Sequence, residues 1–296
     1  MCIKNKNIDE FMVPTNDYIF KRIFGYVGNE NITKNLLESI LKIKINSVSL
    51  DGNTILEKDL ASDKIGILDV KAILENKIPC DIEIQVFPFD NITKRLLFYW
   101  SKLYLKTINS GDSYDNLQKA IVILIADFDF KKIDNLKNIN DYHTKWQITA
   151  DSSSKHILTD AFEIHTISLK LVEKLFKKSY NEDSKDLIRW LKFIKEPSLL
   201  EEKDMENVNI KEAKEQLDEL KKSKYEQELA EYRMKEIRDK KAIESYGFNT
   251  GKEEGRKEGK KEKQIEIAKK MLKENMDINL ISKLTSLTEN EIRKLN

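Results

Sequence analysis

Three polar side chains fall where a β-strand would be expected to carry apolar ones, and all three can bind a hard cation. Glu83 and Gln85 sit within Ile82-Glu-Ile-Gln-Val86, and Asp69 interrupts Ile65-Gly-Ile-Leu-Asp-Val70. A carboxylate in such a run is costly unless it is exposed, paired or coordinated to a metal. The period of two in a strand sends Cys80, Ile82, Ile84 and Val86 to one side, and Asp81, Glu83 and Gln85 to the other. Two carboxylates held side by side repel each other unless a cation lies between them. Their hard oxygen atoms suit Mg²⁺, with Mn²⁺ or Ca²⁺ as less specific occupants. An ion so placed neutralises phosphate charge and turns a bound water into a hydroxide-like nucleophile.

The elements around these residues must bring Asp69 to Glu83. Strands are expected over 67–74 and 80–87, and directly opposite residues of a hairpin share a face. The pairing needs a connection of odd length. Glu75-Asn76-Lys77 as the loop pairs Leu74 with Ile78 and Asp69 with Glu83, whereas a two-residue turn at Asn76-Lys77 sends the two carboxylates to opposite faces. A helix over 93–108 follows. Its residues Arg95, Tyr99, Lys102 and Lys106 step along one helical stripe. The uninterrupted apolar run Ala120–Ala126 reads as a strand covered on both faces.

Helices are expected over 17–24, with Asp17 as its cap, and over 32–41, where Ile32, Leu36, Leu37, Ile40 and Leu41 form an apolar face. A strand over 46–56 with a turn near Asp51-Gly52-Asn53, strands over 146–149 and 162–169, and a helix over 184–194 complete an α/β order that ends near Pro197. His143, His156 and His165 show no metal-ligand spacing, and His165 reads as a structural residue within its strand.

The rest of the chain differs in kind. Of 296 residues 35% are charged, above the usual quarter, and most of that excess follows Glu196. With 52 basic against 51 acidic residues the net charge is only +1, so a DNA site has to be a local patch. Cys2 and Cys80 suggest neither a disulfide framework nor a metal knuckle. The N-terminus lacks the apolar run of a signal peptide, and no stretch reaches the ~18 apolar residues of a membrane span. The expectation is a soluble, cytoplasmic protein.

Residues 201–263 read as a charged helical linker. Ile210, Ala213, Leu217 and Leu220 keep a heptad step that fails at Lys224, and Gly247, Gly251, Gly255 and Gly259 recur every fourth residue. Each glycine costs a helix roughly 1 kcal/mol relative to alanine. Two readings stand for the repeat: a frayed connector, or close helix–helix contact in a homo-oligomer. Residues 264–296 regain apolar periodicity as three short helices, the last opened by the capping box Thr288-Glu-Asn-Glu291, a pattern compatible with a helix-turn-helix. That tail is expected to bind DNA or to self-associate.

An ordered series of segments, none specific alone, resembles one family. Thr15-Asn-Asp-Tyr-Ile-Phe-Lys-Arg-Ile-Phe-Gly25 is similar to its opening segment, and Leu68-Asp-Val-Lys-Ala72 with Ile82-Glu-Ile-Gln85 to its catalytic strands. Arg95 through Tyr104 and Gly111-Asp-Ser-Tyr114 match its following helix and turn. Leu158-Thr-Asp160, Glu163-Ile-His165 and Trp190 to Ile194 match its later half. The series, over about residues 12–200, resembles the Rpn family of recombination-promoting nucleases, also labelled transposases, within the PD-(D/E)XK nuclease superfamily. The Gly-Lys/Glu tail is also typical of that group.

The resemblance implies a restriction-endonuclease-like α/β domain over 1–200. It also implies a Mg²⁺-dependent DNA endonuclease linked to recombination or mobile elements. Asp69 and Glu83 would hold the metal, with Glu38 on the early helix as a candidate extra ligand. Gln85 would occupy the superfamily's lysine position, where an amide can orient water or phosphate but cannot bring a positive charge. Arg95 or Lys102 is expected to stabilise the transition-state charge instead. Lys71, on the face of Asp69, could substitute for the missing lysine or simply form a cross-strand ion pair. The alternative is a nuclease scaffold that has lost catalysis and serves as a DNA-binding or regulatory protein.

Overall fold

A computed structural model describes residues 8–50, 70–88, 91–176 and 182–295. Among them six strands form one mixed sheet. These are β1 (Val48–Leu50), β2 (Val70–Leu74), β3 (Ile78–Gln85), β4 (Ala120–Ala126), β5 (His143–Trp146) and, after a small hairpin of β6 (Thr149–Ala150) and β7 (Ser153–Ile157), β8 (Phe162–Ser168). The order across the sheet is β1-β2-β3-β4-β8-β5. The central strands β3, β4 and β8 run parallel, and β1, β2 and β5 join antiparallel.

Strand period and burial sort the side chains into two layers. On one face Cys80, Ile82 and Ile84 of β3 and Ile121, Ile123 and Ile125 of β4 pack with α1 (Asp17–Phe24), α2 (Glu30–Leu41) and their neighbours. On the other, Val122, Leu124 and Ala126 meet Ile92 and Leu96 of α3 (Ile92–Leu105), together with Phe128, Phe130, Ile133 and Leu136 of the segment after β4. All seven residues of β4 are buried, as the uninterrupted apolar run implied.

The joint between β2 and β3 is a single 3-10 turn, Glu75–Lys77, with Lys77 in the left-handed region at φ 62°. Leu74 pairs with Ile78 and Val70 with Ile82, the odd-length register expected from the sequence. Asp69 and the second half of the strand expected over 46–56, with its turn, lie outside the described residues.

The cap of α1 differs from expectation. Asn16 is the N-cap residue: it accepts from the Tyr18 N–H, which Asp17 Oδ1 shares at 2.9 Å, and its own Nδ2 donates to the carbonyls of Phe11 and Ala230 at 3.0 and 2.9 Å. Asp17 also receives Arg233, whose Nη2 lies 2.8 Å from Oδ2.

After the short helix α4 (Leu169–Val172) comes α5 (Glu182–Lys195), and then α6 (Val208–Lys222), which buries Ile210, Ala213 and Leu217 in the main core. The boundary expected at residue 200 is therefore displaced. The heptad step is a packing face on the sheet domain rather than a solvated linker, and the first compact unit runs to Lys235. The helical linker expected over 201–263 is divided at Ser223, where α6 ends and α7 (Lys224–Lys273) begins. Through Gly247, Gly251, Gly255 and Gly259 α7 continues as helix, and a Cβ added at any of the four would meet nothing within 4 Å.

The second unit, Glu236–Asn296, has a small core of Ala268, Ile281, Leu287 and Ile292. Its helices α8 (Ile278–Thr285) and α9 (Glu289–Arg293) are capped by Asp277 and by the Thr288–Glu291 capping box foreseen in the sequence. None of the described helices is long and apolar enough to cross a membrane.

Candidate active site

Glu83 lies in the middle of the sheet, 1% exposed, with Asp81 at 2% and Gln85 at 9% on the same side of β3. The parallel pairing sets Asp81, Glu83 and Gln85 beside Val122, Leu124 and Ala126, so this row belongs to the face that α3 covers. Each is a hydrogen-bonding group held away from bulk water, a placement that costs free energy unless a partner is supplied. Gln85 ends the strand, where its carbonyl accepts from the Asp127 N–H at 2.8 Å.

Helix α3 lies over β4, between β3 and β8. Ile92, Leu96, Trp100 and Leu103 turn inward, and the indole of Trp100 donates to the Ala120 carbonyl at 3.0 Å. On one flank Thr93 and Leu97 border a groove of about 300 Å³ toward Trp146 and Ile164. At 100° per residue, Arg95, Tyr99, Lys102 and Lys106 occupy the opposite flank, the one on the β3 side. Arg95 is half-buried there, its Nη2 donating to the Tyr99 hydroxyl at 3.1 Å. Lys102 is exposed, its ammonium 5.1 Å from the Phe98 ring centre.

Glu38 is not gathered with these groups. It belongs to α2, on the Ile82 side of the sheet, and its carboxylate accepts from the Ile45 N–H at 2.9 Å, closing the turn after the helix. Among the described residues no three His, Cys, Asp or Glu cluster as metal ligands. The donors on the Glu83 face are nevertheless hard oxygens, which fit a hard divalent ion. The soft donor of β3, Cys80, points to the opposite face, and burial pushes its thiol pKa well up, with the Asp81 charge adding to the effect. Such a thiol is neither nucleophile nor ligand.

One cluster went unseen in the sequence. Glu163 and His165 on β8 and His143 on β5 form a chain: Glu163 Oε1 to His165 Nε2 at 2.9 Å, then His165 Nδ1 to His143 Nε2 at 2.8 Å. Lys119 and Lys145 each reach Glu163 Oε2 at 2.7 Å. Burial works against ionising Glu163, but the bonds from His165, Lys119 and Lys145 prevail and hold it well below the usual carboxylate range. Burial, then His165 and Lys42, bring His143 down to about 4. The three side chains thus form one hydrogen-bonded chain, with the carboxylate of Glu163 as its acceptor end and the donor roles of the two rings set by their tautomers. The cluster lies on the face of β8 opposite α3, away from Glu83. The antiparallel pairing of β5 with β8 is what brings the two histidines together, and their separation in sequence gives no sign of it.

A mixed six-stranded sheet with helices on both faces is a restriction-endonuclease-like architecture. The family described as PD-(D/E)XK nuclease family transposase matches residues 14–247, and the Rpn/YhgA-like nuclease family C-terminal HTH domain matches residues 261–296. The chain belongs to the PD-(D/E)XK nuclease family transposases, of the Rpn/YhgA-like kind. No curated protein and no solved structure matches it.

Proposed function

We propose that the protein is a divalent-metal-dependent DNA endonuclease, with Asp69 and Glu83 as metal ligands and Gln85 and Arg95 beside them. The observation that carries this reading is the β2–β3 register. With Val70 opposite Ile82, the pairing keeps the odd-length parity that the sequence requires for a carboxylate pair on the Glu83 face, the face beneath the cationic flank of α3. Membership of a nuclease family supports reading Asp69 and Glu83 as the metal position.

When bound, a hard divalent ion neutralises phosphate charge and acidifies a coordinated water. Glu83 and Asp69 fix its position. The Gln85 amide orients water or a phosphate oxygen through hydrogen bonds. Arg95, steadied by Tyr99, stabilises charge on the phosphate; Lys102 is less suited, being two turns further along and exposed. The C-terminal helix-turn-helix adds DNA affinity rather than chemistry.

Purified protein should nick supercoiled plasmid with Mg²⁺ or Mn²⁺. Asp69→Asn and Glu83→Gln should each slow this at least ~100-fold, the scale of losing a group that stabilises the transition state, while thermal unfolding stays cooperative. Undiminished cutting by both variants would overturn the site. Gln85 in the lysine position favours a second reading, a scaffold that binds DNA without cutting it. DNA binding with no cleavage in Mg²⁺, Mn²⁺ or Ca²⁺ would select that reading.

A further inference from the structure

The motif in the family's name ends in a lysine two residues beyond the second carboxylate, on the same side of the same strand. Gln85 stands there instead and brings no charge. We propose that Lys71 of β2 supplies the missing positive charge at the scissile phosphate, and that Asp81 positions it. This rests on the nuclease reading above.

The register makes the case. Lys71 lies directly opposite Asp81, and because Val70, Ala72, Cys80 and Ile82 occupy the other face, both share the face of Glu83 and Gln85. Glu83 is one alternation further along β3, a diagonal neighbour of Lys71. Diagonal cross-strand positions lie roughly 7–8 Å apart, within the span of a four-carbon ammonium side chain. The neighbouring residue of β2 on this face, Ile73, is apolar, so position 71 is where β2 offers a cation.

Arg95 approaches this face from α3, steadied by the Tyr99 hydroxyl, and Lys102 projects outward over Phe98, so a charge at position 71 adds to Arg95 from the sheet itself. Asp81, by contrast, is almost fully buried, and the exposed Lys71 directly across from it gives a way to bias one long, flexible side chain toward the site. Positions 71 and 85 flank Glu83 on this face, one from β2 and one from β3, and a lysine at either is a neighbour of the Glu83 side chain.

The step needs no proton from Lys71. The water oxygen bonds to phosphorus as the bond from phosphorus to the departing deoxyribose oxygen breaks. The water releases its proton to solvent, and the leaving oxygen takes one from solvent. The ammonium stays protonated throughout and offsets negative charge that builds on the phosphate oxygens. Lys71 is then a catalytic residue, and Asp81 a positioning one.

The test uses the full chain, supercoiled plasmid and Mg²⁺ under single-turnover conditions, with DNA affinity and thermal unfolding measured in parallel. Lys71→Met should slow cleavage on the order of 100-fold, with affinity changed by no more than about threefold. Lys71→Arg should keep most of the rate. Adding Gln85→Lys to Lys71→Met should recover at least about tenfold, because the charge returns from the adjacent strand. Asp81→Asn should lower the rate in the Lys71 protein but not lower it further in Lys71→Met. Wild-type cleavage by Lys71→Met overturns the proposal, as does a Lys71→Arg as slow as Lys71→Met with no recovery from Gln85→Lys. If the parent protein cuts and Glu83→Gln does not, these outcomes judge Lys71 alone. If the parent does not cut with any of the ions, the nuclease reading has failed and this inference falls with it.

Discussion

His143 and Glu163 are shifted in the same direction by folding, and both shifts favour the less protonated form. The unfolded chain therefore binds more protons than the native one, and stability falls as pH falls. For His143 the contribution is intact above its ordinary value of 6.5 and is lost between there and about 4. The whole window is worth up to about 3 kcal/mol, since each pKa unit is about 1.4 kcal/mol. A further loss sets in as pH falls through the ordinary carboxylate value of 4.5, where the unfolded chain takes up a proton that the folded Glu163, held by His165, Lys119 and Lys145, does not. Urea denaturation across pH 8 to 4 should show a flat region and then a decline starting near 6.5. His143→Phe should flatten the decline between 6.5 and 4, and an unchanged slope would show that this residue does not cause it. Little of this cluster was legible in the sequence. Glu83 and Gln85 stood out because period two is intrinsic to a strand. His143 meets His165 only because β5 pairs with β8, and His143-Thr-Lys-Trp146 has no apolar alternation to announce a strand. Asn16 and Asp17 are equally good caps by chemistry and both accept from the Tyr18 N–H, and the distant Ala230 carbonyl that holds the Asn16 amide has no sign in the local sequence.

At the scale of elements, the turn Glu75–Lys77 governs which side chains β2 and β3 present together. Its odd length was readable in advance, because only one parity put two carboxylates on one face. The observed Leu74–Ile78 pairing follows that parity. β3 is also locked to β4 through the parallel pairs from Cys80–Ile121 to Gln85–Ala126. A glycine inserted after Lys77 must therefore be absorbed by β2, whose residues Val70, Ala72 and Leu74 would turn from the core to the outside. The insertion should abolish metal-dependent cleavage and cost several kcal/mol, on the order of 2 kcal/mol for each large apolar side chain displaced. Inserting two residues should be far milder, because side-chain parity is restored. Equal damage from both insertions would refute the parity argument. The last turn of the sheet domain was harder to read. Ile210, Ala213 and Leu217 have the same spacing whether they face a second helix or a sheet domain, and spacing alone does not identify the partner.

For the whole molecule, the division into Met1–Lys235 and Glu236–Asn296 separates the candidate chemistry from the helix-turn-helix match at 261–296. The acidic start of α9, which argues against base contacts there, has a structural use: Glu291 accepts from the Thr288 backbone and hydroxyl and lies 3.3 Å from Lys261. A chain ending at residue 235 should unfold cooperatively and cut at saturating DNA, but bind DNA up to ~100-fold more weakly, as when one of two linked binding modules is lost. Unchanged affinity would remove the tail from DNA recognition. The two ends of the first unit also depend on each other. Asn16 donates to the Ala230 carbonyl, Tyr18 to Glu226 at 2.5 Å, and Asp17 receives Arg233, 216 positions later. A ribosome adding 5–20 residues per second needs roughly 10–40 s to cover that interval. Throughout that time the first helix emerges without the segment that completes its cap, so a chain broken off by a nonsense codon or a stalled ribosome carries every candidate catalytic residue without the fastening that closes the domain around them. Synthesis itself thus sets a delay before this nuclease-family domain can finish folding.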